Sequence, residues 1–269
     1  MIDMTLLREI ITRAAREELL PRFNQVSRSF KGDGSIVTEA DLAIQQRIQQ
    51  ALQREWPEIA LLGEEMAPEE QQALLARDDP GLWLLDPLDG TSNFAAGIPY
   101  FAVSLALYQH GAIQLGLIYD PVRDECFSAQ RGAGAQLNGA PLRNAPDALP
   151  LKQGIALIDF KRLPARLSQA LVTTPPYSSQ RSFGSGALDW CWVAAGRVHV
   201  YLHGAQKLWD FAAGSLILEE AGGRSATLQG EVVFQASLAP RSVVAAPHLQ
   251  LFDQWRTCLS ALMASSNSP

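Results

Sequence analysis

Apolar residues recur every three or four positions in two early segments, and this spacing predicts two amphipathic helices. The first covers Thr5 to Leu20, and the second covers Glu39 to Glu55. Shorter apolar runs predict strands at Ile59 to Leu62 and at Leu82 to Leu85, with an acidic helix near Pro68 to Ala76 between them. FAVSLALY and AIQLGLIY, which QHG joins, predict a hairpin of two buried strands.

The second half alternates between strand and helix patterns more regularly. GIALIDF, VHVYL and SVVAA predict strands, whereas GALDWCWVAAG, WDFAAGSLILEEAGG and the segments from Leu163 and from His248 predict helices. Together the two halves predict a layered α/β protein. Prolines and polar residues in NAPDALPLKQ predict two subdomains, residues 1–148 and residues 149–269.

Composition narrows the class of protein. The net charge is −6, so neither a general nucleic-acid binder nor a binder of anionic membranes is expected. Glycine, proline and polar residues interrupt the long uncharged stretch between Gly90 and Tyr119, which argues against a membrane-spanning helix. The cysteines, Cys126, Cys191 and Cys258, form no CxxC pair, and this pattern predicts a cytoplasmic protein without disulfides or a zinc ribbon.

Two acidic motifs in the first half have ordinary structural explanations. In VTEADLAIQ, the spacing of Thr38 and Asp41 is typical of a helix capping box. In LLGEEM, Glu64 follows an apolar strand and a glycine, a place where glutamates are usually solvated. Each residue alone is a weak candidate for chemistry.

The motif DPLDGT is more informative. Asp86 directly follows a buried strand, where a carboxylate needs a partner, and Pro87 has no N–H with which to extend a sheet. A turn here can direct Asp86, Asp89 and the Leu88 carbonyl to one point, and Mg²⁺ prefers such oxygen ligands. The segment after Asp89 would begin a short helix and bind an anion. A structural Asp-Gly turn is the alternative.

Asp210 is a further acidic residue at the end of a predicted element, in the second half of the chain. It opens the helix of WDFAAG, where a charge that favours the helix dipole is the simple explanation. Yet acidic residues recur at strand and helix ends in the order Asp41, Glu64, Asp86 with Asp89, and Asp210. The set therefore indicates a shared site.

These motifs resemble those of the inositol monophosphatase family of lithium-sensitive, Mg²⁺-dependent phosphatases. The resemblance covers VTEADLAIQ, GEE, WLLDPLDGTSNFAAGIPYFAVSLAL, GSGALDWCWVAAGRVHVYL and WDFAAGSLILEEAGG in the family's order. It implies an αβαβα sandwich of the sugar-phosphatase type and, commonly, a homodimer. It also implies a Mg²⁺-dependent phosphomonoesterase that hydrolyses a small polyol or sugar phosphate through metal-activated water.

The resemblance assigns roles by matching position. Two or three Mg²⁺ would be held by Glu64, Asp86, Asp89, Asp210 and the Leu88 carbonyl. Substrate would be bound by Asp89, Gly90, Thr91, Gly186 and His203, with the Gly90 and Thr91 amides on the phosphate. The catalytic residues would be Asp41, Glu64 and Thr91, because Asp41 would hydrogen-bond the Thr91 hydroxyl and this pair, together with Glu64, would orient the attacking water.

The sequence departs from the family near the expected substrate. The resemblance to inositol phosphatases implies a glutamate seven residues before the WD aspartate, but this chain has His203 there. A neutral imidazole could bind a hydroxyl, and a protonated one could bind a second anion. Lys207 could bind an anion or simply be solvated, and Lys31 in KGDGS could approach the site or belong to an exposed loop.

Two further functions remain open from the sequence. One is a phosphatase directed at a nucleotide, such as phosphoadenosine phosphate or NADP. The other is a protein that mainly binds a protein partner, since some bacterial relatives also serve in transcription complexes. The complete acidic set argues against a dead enzyme but not against a dual role.

Overall fold

A computed structural model describes residues 2–27, 29–30, 36–77, 81–142 and 149–264. The predicted contribution of Lys31 and the predicted boundary after residue 148 fall outside these ranges, and both stay predictions. The α-helices are Met4–Glu18 (α1), Glu39–Glu55 (α2), Pro68–Leu75 (α3), Thr91–Ala96 (α4), Ala165–Thr173 (α5), Gly186–Ala194 (α6), Leu208–Glu220 (α7) and Leu249–Ala264 (α8).

The strands belong to two large sheets and one small pair. The small antiparallel pair is Ser29–Phe30 (β1) and Ile36–Val37 (β2). The first sheet has the order Ala60–Gly63 (β3), Leu82–Asp89 (β4), Ala102–Gln109 (β5), Ala112–Asp120 (β6), Glu125–Gln130 (β7), Gly134–Leu137 (β8) and Ala140–Leu142 (β9). The second contains Ile155–Asp159 (β10), Ser179–Arg181 (β11), Val200–Gln206 (β12), Arg224–Ala226 (β13) and Arg241–Ala246 (β14), in the order β11-β10-β12-β14-β13.

The pairing directions differ between the two sheets. In the first sheet β3 runs parallel to β4, and the remaining neighbours are antiparallel. In the second sheet β10 is parallel to β11 and β12, whereas β14 is antiparallel to β12 and β13. The antiparallel-rich first part is as predicted, and the second sheet is mixed.

Apolar side chains on alternate residues divide the molecule into layers. On β4, Trp83 and Leu85 pack in one cluster with α1 and α2, whereas Leu82 and Leu84 pack in another with α6 and α7. This second cluster also contains residues of β10 and β12, so α6 and α7 lie between the two sheets. The outer face of the second sheet packs against α5 and α8. The predicted αβαβα sandwich is confirmed.

The structure confirms two predictions that rest on short sequence motifs, the start of α2 and the β5–β6 hairpin. The helix α2 begins as predicted, because Thr38 and Asp41 form a capping box. The β5–β6 hairpin turns at His110 and Gly111, whose φ angles of 54° and 77° suit a tight hairpin turn. No helix in the described ranges has both the length and the apolar character needed to cross a bilayer.

One strand boundary differs from expectation. We expected β4 to end at Leu85, but it continues to Asp89 through an irregularity in its pairing with β5. Asp86 pairs with Ser104 and Asp89 pairs with Ala102, so β4 contains one extra residue between these pairs. This is the geometry of a β-bulge, which accommodates Pro87 without a ladder hydrogen bond.

Candidate active site

The bulge in β4 places Asp86 inside the molecule at the end of a buried strand. Asp86 is 2% exposed, and its Oδ1 accepts a hydrogen bond of 3.0 Å from the Leu88 N–H. The opposite residue, Ser104, donates to the carbonyl of Trp209 at 3.1 Å. Because Trp209 precedes Asp210, this bond holds the start of α7 beside the bulge.

Three carboxylates meet at this point. Oxygen atoms of Glu64, Asp86 and Asp210 lie within 4.8 Å of one another. Glu64 follows β3, and its N–H donates to the carbonyl of Leu85 in the parallel neighbour β4 at 3.0 Å. Asp210 lies in the first turn of α7, where its Oδ2 accepts from the Lys207 N–H at 2.9 Å. Residues far apart in sequence thus converge as the motifs suggested.

The electrostatics of this cluster favour a cation. Burial raises the pKa of Asp86 well above its usual range, and the charges of Glu64, Asp89 and Asp210 add to the effect. Burial likewise raises the pKa of Asp210, with further contributions from Asp89 and Glu64, while the charge of Lys207 opposes them. A divalent cation bound among these oxygens would remove the repulsion.

Asp89 has a different environment from the other three acids. Its Oδ2 accepts a 2.5 Å hydrogen bond from the Ser185 hydroxyl and a 2.6 Å bond from the Ala187 N–H at the start of α6. Burial raises the pKa of Asp89 to about 6, although these two hydrogen bonds oppose the increase. The group of three mutually close carboxylates does not include Asp89. Oδ2 of Asp89 is hydrogen-bonded at the start of α6, so Oδ1 is the oxygen that could bind a ligand.

The short helix α4 begins next to these acids, as predicted. Gly90 has a φ of 94°, and a Cβ there would lie 3.0 Å from the carbonyl oxygen of Tyr100. Glycine is therefore required by both backbone conformation and space. The backbone amides of the first helical turn have no acceptor within the helix itself.

The predicted contact between Asp41 and Thr91 is present. The Thr91 hydroxyl lies 3.0 Å from Asp41 Oδ1 and 2.9 Å from the Leu88 carbonyl oxygen. Asp41 Oδ2 accepts from both the N–H and the hydroxyl of Thr38, at 2.7 and 2.6 Å. Burial raises the pKa of Asp41, although the bonds from Thr38 and Thr91 lower it. The capping role and the link to Thr91 therefore coexist in one side chain.

The expected substrate side contains Gly186 and His203. A Cβ on Gly186 would lie 2.5 Å from Nε2 of Gln206, so this position leaves no room for a larger residue. His203 Nε2 lies 3.0 Å from Asp159 Oδ2, and its Nδ1 accepts from the Ala205 N–H at 3.2 Å. A ring nitrogen that accepts a hydrogen bond has no proton, so the proton is on Nε2 and faces Asp159. The hydrogen bond from His203 lowers the pKa of Asp159.

Sequence reasoning missed several residues of this site. Asp159 had no signal, since it meets His203 only through the parallel register of β10 and β12. Ser185 could have been found as the N-cap of α6, because its side chain accepts from the Leu188 N–H. The ammonium of Lys207 lies 3.6 Å from Glu64 Oε1, a contact that the sequence did not predict.

Comparison with known proteins supports the resemblance in sequence and in fold. A model of the inositol monophosphatase family matches residues 2–263. The Nus factor SuhB of Pasteurella multocida is 34% identical over 245 residues, which cover 89% of each chain. An IMPase of Thermotoga maritima superposes with a TM-score of 0.82 at 26% identity, covering 97% of this chain and 98% of the other.

Some similar structures contain ligands. SaIMPase-II of Staphylococcus aureus with inositol monophosphate bound superposes with a TM-score of 0.78 at 26% identity, over 98% of both chains. SaIMPase-II has also been solved with 2′AMP bound. An IMPase/NADP phosphatase solved with Mg²⁺ and phosphate superposes with a TM-score of 0.76 at 26% identity, over 90% of this chain and 88% of the other.

Proposed function

The chain belongs to the inositol monophosphatase family, and we propose that it is a Mg²⁺-dependent phosphomonoesterase acting on a small polyol or sugar phosphate. The observation that carries this proposal is the convergence of Glu64, Asp86 and Asp210 beside the first turn of α4. The proposed metal ligands and the backbone amides for a phosphate would thereby lie side by side.

The donor set fits the Mg²⁺ on which the family depends. Glu64, Asp86 and Asp210 offer hard oxygen ligands whose mutual repulsion a cation would relieve. The remaining oxygen of Asp89 and the Leu88 carbonyl would complete the set, and we propose that these groups hold two or three ions. When bound, Mg²⁺ supplies an activated water nucleophile and neutralises charge on the phosphate and the leaving oxygen.

The neighbouring residues would orient the reactants. The amides of Gly90 and Thr91 would bind phosphate oxygens at the start of α4. The Thr91 hydroxyl has one proton and two acceptors, Asp41 and Leu88, so its lone pairs can accept a hydrogen bond from the attacking water. Glu64 would accept the other proton of that water, and in-line attack on phosphorus would then require no covalent intermediate.

The hydrogen-bonded pair of His203 and Asp159 favours substrates other than, or in addition to, inositol phosphate. Both nitrogens of His203 have partners in the protein, so a hydroxyl of the substrate would meet the edge of a hydrogen-bonded pair rather than a free glutamate. A nucleotide is the alternative substrate class. Because SaIMPase-II has been solved with 2′AMP bound, nucleotides are included among the substrates to be tested.

A role in binding a protein partner is the second candidate function. The relative from Pasteurella multocida is named a Nus factor, and it covers most of this chain. We propose that partner binding would coexist with the phosphatase site, because the acidic set is complete. Co-purification of a stoichiometric partner with the tagged protein would support it.

The family resemblance also underlies two finer proposals. We propose that the protein works in the cytoplasm and that it is a homodimer. Light scattering on the purified protein would test the second proposal, with a monomer at all concentrations as the contrary result.

The deciding experiment measures phosphate release from a panel of substrates. The panel contains inositol 1-phosphate, glycerol 2-phosphate, fructose 1,6-bisphosphate, histidinol phosphate, phosphoadenosine phosphate and NADP. Each substrate is tested with Mg²⁺, with a chelator, and with Mg²⁺ plus Li⁺. We expect Mg²⁺-dependent release that Li⁺ inhibits. If Mg²⁺ binds but no substrate is hydrolysed, the phosphatase proposal loses its support in favour of partner binding.

A further inference from the structure

Lys207 contacts two of the three clustered carboxylates. It is the residue before α7, and its backbone N–H donates to Asp210 Oδ2 at 2.9 Å. Its ammonium nitrogen lies 3.6 Å from Glu64 Oε1, with about one third of the lysine side chain exposed. The backbone and side chain of one residue thus connect Glu64 at the end of β3 to Asp210 in α7.

The ammonium group also has a second partner within reach. It lies 5.5 Å from the centroid of the Trp209 ring. A cation over an indole face is favourable even at partly exposed sites. The lysine stem can therefore keep its charge beside Trp209 if the contact with Glu64 is lost.

The contact with Glu64 is in direct competition with a divalent ion. A carboxylate that is paired with an ammonium group about 4 Å away is stabilised by their electrostatic attraction, and the attraction is stronger where the local dielectric is lower. An ion that uses Glu64 as a ligand must replace that interaction and must also tolerate a like charge nearby. The closer the lysine stays to Glu64, the weaker the binding of the ion becomes.

We propose that Lys207 is a tethered counter-ion of the acidic cluster, which competes with Mg²⁺ for Glu64 and moves toward the face of Trp209 when the ion binds. Lys207 is in this view a positioning residue that sets the affinity of the site for metal. The inference rests on the proposed function, because it takes the cluster to be the Mg²⁺ site.

Direct titration of the metal-stripped protein with Mg²⁺ by calorimetry tests this proposal without any substrate. Lys207→Met keeps the aliphatic stem and removes the charge, and we expect it to bind Mg²⁺ about tenfold more tightly than the unmodified protein. Lys207→Arg retains the charge and should stay close to the unmodified affinity. Lys152→Met, at an exposed lysine of another segment, makes the same change in net charge and should alter nothing.

Thermal unfolding of the metal-stripped proteins provides a second measurement. Lys207→Met should unfold at a lower temperature than Lys152→Met, because Glu64 and Asp210 lose a nearby positive charge, and Mg²⁺ should abolish this difference. Lys207→Gln, with a shorter neutral side chain, should show the same changes in affinity and stability. Unchanged or weaker Mg²⁺ binding in both neutral variants would overturn the proposal.

The experiment also distinguishes this proposal from the one on which it rests. If the unmodified protein binds Mg²⁺ and Asp86→Asn does not, the metal site stands whatever Lys207 does. If neither protein binds Mg²⁺, the proposed metal site and the role of Lys207 fail together.

Discussion

Two acidic regions of this protein differ in how their charge is balanced. In the cluster of Glu64, Asp86 and Asp210, burial and repulsion raise the pKa of Asp86 and Asp210 well above the usual range. In the pair of Asp159 and His203, the histidine donates to the carboxylate and lowers the pKa of Asp159. Repulsion among carboxylates dominates the first region, whereas the carboxylate of the second is hydrogen-bonded to its partner.

This difference indicates separate roles for the two regions. A buried group of acids that repel one another is costly unless a cation binds, so the cluster is suited to hold metal. A carboxylate that is already hydrogen-bonded instead offers fixed shape and polarity to a neighbouring ligand. We therefore propose that the cluster carries the chemistry and that the pair of Asp159 and His203 contributes to selectivity.

Removal of one acid from the cluster is the strongest test of this contrast. Asp86→Asn should reduce phosphate release by more than about 100-fold, because even a group that only supports a metal ligand commonly contributes 10- to 100-fold. It should also abolish binding of Mg²⁺ measured by calorimetry. The matched change Asp159→Asn should leave Mg²⁺ binding intact.

The opposite pattern would reverse the assignment of the two regions. Mg²⁺ binding that survives Asp86→Asn but is lost in Asp159→Asn would show that the metal site lies elsewhere. Circular dichroism of each variant would establish that both proteins are folded.

Local signals made much of the fold and site predictable from sequence. Thr38 and Asp41 of the capping box are three positions apart, as are Asp86 and Asp89, so both motifs can be read directly from the sequence. The strand β4 could be located but not its end, because the bulge depends on pairing with Ser104 in β5. The second sheet likewise depends on the long-range register of its strands.

Contacts between distant segments explain what sequence reasoning could not find. Asp159 meets His203 through the register of two parallel strands. Ser185 meets Asp89 because the layer containing α6 packs against the first sheet. Neither residue belongs to a local pattern that would indicate its partner, so their assignment required the three-dimensional structure.

The raised pKa values predict how stability depends on pH without metal. Unfolded aspartates lose their protons near pH 4, whereas Asp89 retains its proton up to about pH 6 in the folded protein. Burial and neighbouring charges also raise the pKa values of Asp86 and Asp210 well above the usual range. The folded state therefore binds more protons in this interval, and the free energy of unfolding falls as the pH rises. For Asp89 alone the loss is on the order of 3 kcal/mol.

Thermal unfolding in a chelator from about pH 5 to about pH 7.5 would measure this effect. The decrease should be smaller in Asp86→Asn, and comparison of the two slopes cancels the opposite contribution of His199, whose pKa burial lowers. The lowered pKa of Asp159 acts below about pH 4, outside the interval. Mg²⁺ should reduce or reverse the decrease, because it binds the ionised acids. Equal slopes in both proteins would contradict the prediction.

Substitutions in the pair of Asp159 and His203 should have a smaller effect on activity, and the effect should depend on the substrate. His203→Glu introduces the glutamate that the resemblance to inositol phosphatases implies at this position. It also places two carboxylates where a hydrogen bond of 3.0 Å now exists. The double variant His203→Glu with Asp159→Asn relieves that repulsion. We expect the double variant to lower the KM for inositol 1-phosphate by about tenfold, and the single variant to fall well short of this.

The four proteins of this double-mutant cycle should be compared on inositol 1-phosphate and on glycerol 2-phosphate. The second substrate has fewer hydroxyls, so its KM should change less. Additive effects of the two substitutions would show that Asp159 and His203 do not act as a pair.

The smallest expected effect concerns the hydroxyl that holds Asp89 against α6. Ser185→Ala removes both the N-cap of α6 and the 2.5 Å hydrogen bond to Asp89, and should lower the free energy of unfolding by about 1 to 2 kcal/mol. Phosphate release should fall by roughly fivefold, because Asp89 keeps the hydrogen bond from the Ala187 N–H but loses the one from the Ser185 hydroxyl. Ser185→Thr retains a hydroxyl and should recover most of the activity, whereas the exposed Ser260→Ala should be neutral in both measurements. If Ser185→Thr is as impaired as Ser185→Ala, the space around Ser185, rather than its hydrogen bond, determines the position of Asp89.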